Sequence, residues 1–521
     1  MVESAQHPKG RSPLSHPTVR KELVAAIACF LGLLGGLCLQ TGAAQKPNII
    51  LCMGDDHGWD ETAYNGHPHL RTPVLDEMAA NGLRFDRFYS ASPVCSPTRG
   101  SVLTGRHPNR YGTFAPNWSL RPEEISIAQI LARAGYCCAH FGKWHVGTVK
   151  AGSPVNPGAM GFNEWLSHDN FFEMNPVLSR NGGPPQKFQG ESSQILIDEA
   201  IRFIGQAKQK QQPFFVVIWF GSPHEPYSGL DDDLALYRDV PEMYPDRLVT
   251  VTGMDTGRQV KRPFGKVLQE RFAEITAMDR AIGTLRDYLD EQTLRQDTLL
   301  WYCGDNGVPA SGRVATPFRG EKGTVYEGGI RVPGIIEWPR RIPAARVTHA
   351  HAVTSDMLPT ICGLVGQPLP DRPIDGVDLQ PVFDGKLTQR PSPIYFWSYV
   401  AAQDSRRELE PYIPLGLQQG TTPLVKILEG RFTRNFRNFH HPVISENDYA
   451  GPRAILDSRF KLVIHDEPGV ETKRELFDLQ RDQAEQHNLL DTEPAVAETL
   501  ERQLRDWQRS VLASLTGADY Q

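Results

Sequence analysis

The sequence predicts an α/β fold, with a large, mostly parallel central sheet flanked by helices and a smaller C-terminal antiparallel sheet plus helix subdomain. Three observations carry this expectation. Four near-continuous apolar runs, of the kind that form strands buried on both faces, each end in a glycine followed by polar residues. Segments of helical spacing lie between them, the alternation expected of a layered α/β sheet. After residue 380 the pattern changes to short strand-like runs separated by turns.

In chain order, residues 1–22 are polar and include Lys9, Arg11, Arg20 and Lys21; residues 23–39 are apolar, and Thr41-Gly42-Ala43-Ala44 follows. This is the layout of a secretory signal peptide over 1–44. The apolar run is marginal in length for a spanning helix and contains Gly32, Gly35 and Gly36. No later run is apolar enough to span a bilayer, so the expectation is export without stable membrane insertion. The first strand run, Asn48-Ile49-Ile50-Leu51-Cys52-Met53, leads to Gly54-Asp55-Asp56-His57. Thr72 is expected to cap a helix that opens at Pro73 and ends by Gly82. Pro93 and Pro97 hold the next approach extended, so Cys95 should fall at or just before the first turn of a helix that Gly105 ends.

An amphipathic helix is expected over 125–134, stopping at Gly135. The second strand run, Tyr136-Cys137-Cys138-Ala139-His140-Phe141, leads to Gly142-Lys143-Trp144-His145. A helix over 192–206 precedes the third run, which begins at Phe214-Phe215 and leads to Gly221-Ser222-Pro223-His224. A helix over 267–290 precedes the fourth, Thr298-Leu299-Leu300-Trp301-Tyr302-Cys303, which leads to Gly304-Asp305-Asn306. Strands are then expected over 391–399, 454–456, 460–465 and 475–479, with a closing helix over 494–515. The expected organisation is a catalytic domain over 45–380 and an α+β subdomain over 381–521.

The 521 residues exceed one ordinary core. A net charge of −6 gives no support to nucleic-acid binding, so attraction for an anionic substrate must be local. Cys29 and Cys38 fall in the leader. Cys52, Cys137, Cys138 and Cys303 lie in apolar runs, where small buried hydrophobes are the better reading than a disulfide framework.

Ligands of open α/β sheets bind beyond the carboxyl ends of the strands, where all four polar clusters would meet. Asp55, Asp56, Asp305 and Asn306 would bring three carboxylates and an amide together. Such a set requires a cation, and oxygen-only ligation calls for a hard one, with flexible geometry favouring Ca²⁺ over Mg²⁺. Taken singly, Asp-Asp after a strand is as well read as a cap or turn. Cys95 at a helix start would sit among unpaired N–H groups that suit an anion, though alone it reads equally as a buried cysteine in a turn. Arg99 follows one helical turn later. Lys143 and His145 alternate along an extended stretch and can face one pocket. His224 and Lys322 stand in the loops after the third and fourth runs.

Cys95-Ser96-Pro97-Thr98-Arg99, continuing to Gly105-Arg106, together with the Gly-rich stretch 319–333, resembles the signature of the type I, formylglycine-dependent sulfatases. The resemblance is to the arylsulfatase and N-acetylgalactosamine-6-sulfatase group of the alkaline phosphatase superfamily, and it spans 46–491. Leu476-Phe477-Asp478-Leu479, with Glu485 and Asn488-Leu489, is similar to that family's C-terminal pattern. The resemblance implies an alkaline-phosphatase-like fold and a Cys95 oxidised to formylglycine by a separate maturation enzyme. It implies one Ca²⁺ held by Asp55, Asp56, Asp305, Asn306 and an oxygen of the modified Cys95. Arg99 would steady the hydrate and the carboxylates, Lys143 would bind sulfate, and His145 would help proton transfer at the hydrate. His224 would be a sulfate ligand or leaving-group acid, and Lys322 a further cation at the site. One hydroxyl of the aldehyde hydrate would attack sulfur, and loss of the second hydroxyl's proton would expel sulfate.

The implied substrate is a sulfate ester, of a sulfated carbohydrate in nature and of aryl sulfates as surrogates. The implied location is periplasmic or secreted in a bacterium, or lysosomal. The rival readings are a phosphoesterase or phosphonate hydrolase of the same superfamily, and a non-catalytic binder of sulfated glycans if Cys95 stays unmodified. His168 and Asp169 are candidates for the cleft wall. The basic and aromatic stretch 431–441 is a glycan subsite or an ordinary amphipathic segment. His57, His107, His440 and His441 are read as loop or core histidines.

Overall fold

The structure, a computed structural model, describes residues 46–520 except 173, 400–408, 425–426 and 467–470; the expected signal peptide lies outside the described residues. Among the described residues the strands are, in chain order, β1 (Asn48–Gly54), β2 (Leu83–Tyr89), β3 (Cys137–Lys143), β4 (Glu164–His168), β5 (Val177–Arg180), β6 (Gln186–Lys187), β7 (Phe214–Trp219), β8 (Leu248–Thr252), β9 (Gln259–Pro263), β10 (Thr298–Gly304), β11 (Arg331–Glu337), β12 (Arg346–Thr348), β13 (Ala352–Val353), β14 (Ile394–Trp397), β15 (Arg453–Leu456), β16 (Phe460–His465) and β17 (Lys473–Asp478). The large sheet runs β12-β2-β11-β10-β1-β7-β3-β4-β5-β6, with β13 also on β2. The four apolar runs are its centre, β10, β1, β7 and β3, and with β4 they form a parallel block.

The sheet is mostly parallel, as expected, with β12 and β13 also parallel to β2, and it includes antiparallel members. β11 runs antiparallel to both β10 and β2, and β5 antiparallel to β4. Strands β2 and β11 carry no continuous apolar run. β2 interrupts its core residues with Arg84, Asp86 and Arg87, and β11 contains Pro333-Gly334, where its register with β2 shifts.

Successive residues of β1 enter opposite cores, as the two-residue period of a strand requires. Ile49, Leu51 and Met53 join the face covered by the helices Cys95–Thr104, Ile127–Arg133 and Met357–Val365. Ile50 and Cys52 join the face covered by Ser192–Gln209 and Phe264–Glu291, through Leu196, Phe203, Met278 and Ile282. The helix Pro73–Asn81 starts and stops as expected, but the Thr72 side chain does not cap it. Thr72 Oγ1 instead accepts from the Ala63 amide, and Asp279 of the long helix takes the Val74 and Leu75 amides at 3.0 and 2.8 Å. A carboxylate from another element satisfies the orphan donors that a cap would have filled.

The second sheet, β14-β15-β16-β17, is wholly antiparallel. The closing helix, Pro494–Leu515, packs Leu500, Leu504 and Val511 against Ile455, Leu462 and Leu476 on one face. The other face, with Ala454, Val463 and Phe477, shares a core with Tyr89, Val325 and Ile330. The segment bearing Lys322 is thereby braced by the C-terminal sheet. The six described cysteines are all free. Among the described residues, no helix is long and apolar enough to cross a membrane.

Candidate active site

Register brings the first two clusters together. Gly54 and Gly304 are paired neighbours on parallel strands, so Asp55-Asp56 and Asp305-Asn306 leave the sheet side by side. The Asp56 amide donates to Asp305 Oδ1 at 2.8 Å, with Asp56 itself at φ 63°. Cys95 opens the helix Cys95–Thr104, whose N-cap, Val94, has no side chain able to cap. Its thiol is buried, 3.5 Å from Asp55 Oδ1 and 3.7 Å from Asp56 Oδ1. Burial, then the charge of Asp305, pushes that thiol well above its ordinary value, against the pull of Lys143 and Lys322. A thiolate is therefore disfavoured here.

Three cations surround the carboxylates. Lys143 Nζ lies 2.6 Å from Asp55 Oδ2, and Lys322 Nζ lies 2.6 Å from Asp56 Oδ1. Arg99, fully buried, donates to Asp305 Oδ2 at 2.7 Å and to the Lys143 carbonyl at 3.1 Å. Burial works to raise Asp56, but Lys322, with Lys143 behind it, holds its carboxyl below the usual range. Burial and then Asp55 push Asp305 up to about 6, against Arg99. The opening to solvent is on the Lys322 and His224 side, where the side chains are 20% and 13% exposed while Arg99 and Lys143 are at 0%.

The two histidines are held in defined tautomers by carbonyl acceptors. His224 Nδ1 donates to the Glu225 carbonyl at 2.6 Å, leaving Nε2 toward Asp56 Oδ2 at 3.8 Å. His145 Nε2 donates to Asn117 Oδ1 at 3.3 Å, while its buried Nδ1 has no partner. Burial lowers both well below the ordinary histidine value. Lys143 and Arg99 add to this at His145; at His224 the attraction of Asp56 works against it and Lys322 with it. Burial thus favours the neutral form of both rings, in which His145 presents a lone pair at Nδ1 and His224 would act as an acid only after taking up a second proton.

All ten residues expected at the site gather at this edge of the sheet. Asp55, Asp56, Cys95 and His224 bring one donor atom each within 4.8 Å of one another. Asp305 turns both oxygens to Arg99 and the Asp56 amide instead. Asn306 donates to Asp56 Oδ1 at 2.9 Å, and its Oδ1 is buried with no hydrogen-bond partner. An unpartnered buried amide oxygen beside clustered carboxylates fits a hard divalent cation. His168 and Asp169 are buried, with their side chains engaged inside the fold. His168 Nε2 donates to the Pro423 carbonyl while its Nδ1 accepts from the Asn170 amide, and Asp169 anchors Val149, Thr421 and Thr422.

The sulfatase family profile matches residues 47–367, more than half of the sequence. The chain belongs to the sulfatase family. It is thus a sulfuric ester hydrolase. N-acetylgalactosamine-6-sulfatase of Canis lupus familiaris is 31% identical to this sulfatase over 395 residues, covering 67% of this chain and 68% of the relative. Arylsulfatase A of Homo sapiens is 32% identical over 391 residues, covering 71% and 73%. Among solved structures, Ps i-CgsB superposes with a TM-score of 0.69 at 22% identity, covering 89% of this chain and 93% of that one, which shows a shared fold.

Several residues that shape the sulfatase site carry no motif. Asn117 Oδ1 takes both His145 Nε2 and, at 2.5 Å, Asn170 Nδ2, and its amide donates to Ser96 Oγ. In the sequence it stands out only as the first residue of a sequon. Arg271 binds Glu61 through two 2.6 Å contacts and donates to the carbonyls of Asp56 and Pro223, also at 2.6 Å. The signal for it was there: Arg271 lies on the apolar face of its helix, between Leu268 and Ile275 at helical spacing. Phe171 stacks on His224, centroids 4.4 Å apart at 17°.

Proposed function

We propose that this sulfatase cleaves the sulfate ester of a carbohydrate, and of aryl sulfates as surrogates, through a formylglycine made from Cys95 by a separate maturation enzyme. The observation that supports it most is the convergence of Cys95 with Asp55 and Asp56 at an uncapped helix start, ringed by Arg99, Lys143 and Lys322. Conversion of Cys95 replaces a sulfur whose thiolate is disfavoured by an oxygen nucleophile. Asp55, Asp56, Asp305 and Asn306 would hold one Ca²⁺ together with an oxygen of the modified Cys95. Bound calcium supplies positive charge that orients the nucleophile and polarises a sulfate oxygen.

In that arrangement Lys143 and Lys322 would exchange their carboxylate partners for sulfate oxygens. Arg99, held by Asp305, fixes the first helical turn against the sheet. His145, neutral with a free Nδ1, is suited to accept the proton that must leave for sulfate to be expelled. His224 faces the open side, where it would bind sulfate or, once doubly protonated, serve the leaving alcohol. The sugar reading follows the names of the relatives, an N-acetylgalactosamine-6-sulfatase among them. Export is proposed on the signal-like segment 1–44.

The test is hydrolysis of 4-nitrophenyl sulfate against 4-nitrophenyl phosphate by protein co-produced with a formylglycine-generating enzyme, with mass spectrometry of the Cys95 peptide. Sulfate turnover lost on chelation and restored by Ca²⁺ is the expected result; preferred phosphate turnover would refute it. Lys322→Ala and His224→Ala are each expected to lower kcat by roughly 10²–10³, the scale for losing a group that meets transition-state charge. A near-normal rate in a folded variant would remove that residue from the site.

A further inference from the structure

The basic and aromatic stretch 431–441 comes to the rim of the site, and its residues divide by face. Arg437 stacks on Trp118 at 4.6 Å, and its amide donates to the Asn117 carbonyl. Asn435 accepts from the Gly420 amide at 3.3 Å. Arg434 and Phe436, the alternate positions, turn toward the catalytic side. The Phe436 ring meets that of His145, centroids 6.2 Å apart at 79°. The Arg434 guanidinium lies 5.5 Å from the centroid of Phe171, the ring that stacks on His224.

Arg434 differs from the other arginines enclosed in this fold. Arg99 is paired with Asp305, Arg106 with Glu124, Arg286 with Glu337 and Arg390 with Asp356. Arg434 has no carboxylate or carbonyl partner among the described residues, and its Nε is buried and unpartnered. Burial lowers its affinity for the proton, and the nearest counter-charge, Glu225, is committed to the Thr252 hydroxyl at 2.8 Å. Its charge reaches the site, since it contributes to the lowering of His145. A planar fork of donors, partly desolvated and left without an acceptor, is a costly feature unless a ligand completes it.

We propose that Arg434 docks a second oxyanion of the substrate, a carboxylate or a further sulfate, beyond the sulfate that is cleaved. Arg434 and His224 both contact the Phe171 ring, so the second oxyanion would sit next to the pocket of His224, and the natural substrate is an acidic saccharide bearing at least two anionic groups. The inference rests on the sulfatase reading of the adjacent site and adds a specificity determinant to it.

The test compares aryl sulfates that differ only in the second charge. The matured full-length enzyme is given 3- and 4-sulfooxybenzoate, the matching sulfooxybenzamides, and 1,3- and 1,4-phenylene bis-sulfate. The quantity read is the ratio of kcat/KM for each dianion to that for the sulfooxybenzamide of the same ring substitution, in the unaltered enzyme and in Arg434→Gln. Taking the change in this ratio between enzymes cancels the difference in leaving-group reactivity. The expected result is a fall of about tenfold or more, the scale of one charge-assisted contact, carried by KM and partly restored in Arg434→Lys. A fall confined to the benzoates identifies a carboxylate, and one confined to the bis-sulfates identifies a second sulfate. Unchanged ratios in both series overturn the proposal. Calorimetric binding of the same compounds to Cys95→Ala protein, with and without Arg434→Gln, makes the comparison without turnover. An absence of sulfate hydrolysis would therefore count against the catalytic reading, while the binding series would still test Arg434.

Discussion

Cys95→Ala is expected to lower kcat/KM for 4-nitrophenyl sulfate by roughly 10⁴-fold or more, the scale seen when a covalent nucleophile is removed. The side chain is buried against Asp55 and Asp56, whose carboxylates are engaged by Lys143 and Lys322. Alanine fits the same space and leaves Arg99, Lys143 and Lys322 on their carboxylates, so folding should survive. Thermal unfolding of the variant checks that point, and calcium binding by calorimetry checks the metal residues separately. Retained sulfate turnover in Cys95→Ala would transfer the nucleophile to another group and end the formylglycine reading.

The second large effect is structural. Arg271→Leu should destabilise the protein by roughly 3–5 kcal/mol, because it leaves Glu61 as an uncompensated buried charge. It also removes the donors to the Asp56 and Pro223 carbonyls, which fix the backbone under one carboxylate and beside His224. Urea unfolding of Arg271→Leu, Glu61→Leu and the double variant tests this. The double variant should recover much of the loss, since it no longer strands a charge. Additive losses would mean that the pair is not the origin of the effect. A fall in turnover that persists in the double variant would report the freed carbonyls.

Much of the fold is legible without coordinates, because the four central strands announce themselves locally. Each is apolar at nearly every position since helices cover both faces, and each leads to a glycine where the chain turns into the site. Strands β2 and β11 escape such a reading, because they alternate buried residues with charges or contain Pro333-Gly334, so no local period survives. The closing helix Pro494–Leu515 is legible because its apolar stripe is continuous and Pro494 sets its start. The cap expected of Thr72 fails because cap preference is a local rule, whereas Asp279, distant in sequence, supplies the acceptor.

The sequence by itself marked the groups that gather at the carboxyl ends of the central strands. Short-range chemistry decides this, in that Asp-Asp, Cys-x-Pro-x-Arg, Lys-x-His and Asp-Asn each follow an element whose period is visible. Only the tertiary structure decided how those groups are paired. Asp305 faces Arg99 and not the donor cluster, His224 joins Asp55, Asp56 and Cys95, and Arg271 supports Asp56 from below. It alone brought Arg434 to the ring that stacks on His224. Such pairings join segments hundreds of residues apart, and their energies depend on burial and distance, which no local pattern encodes.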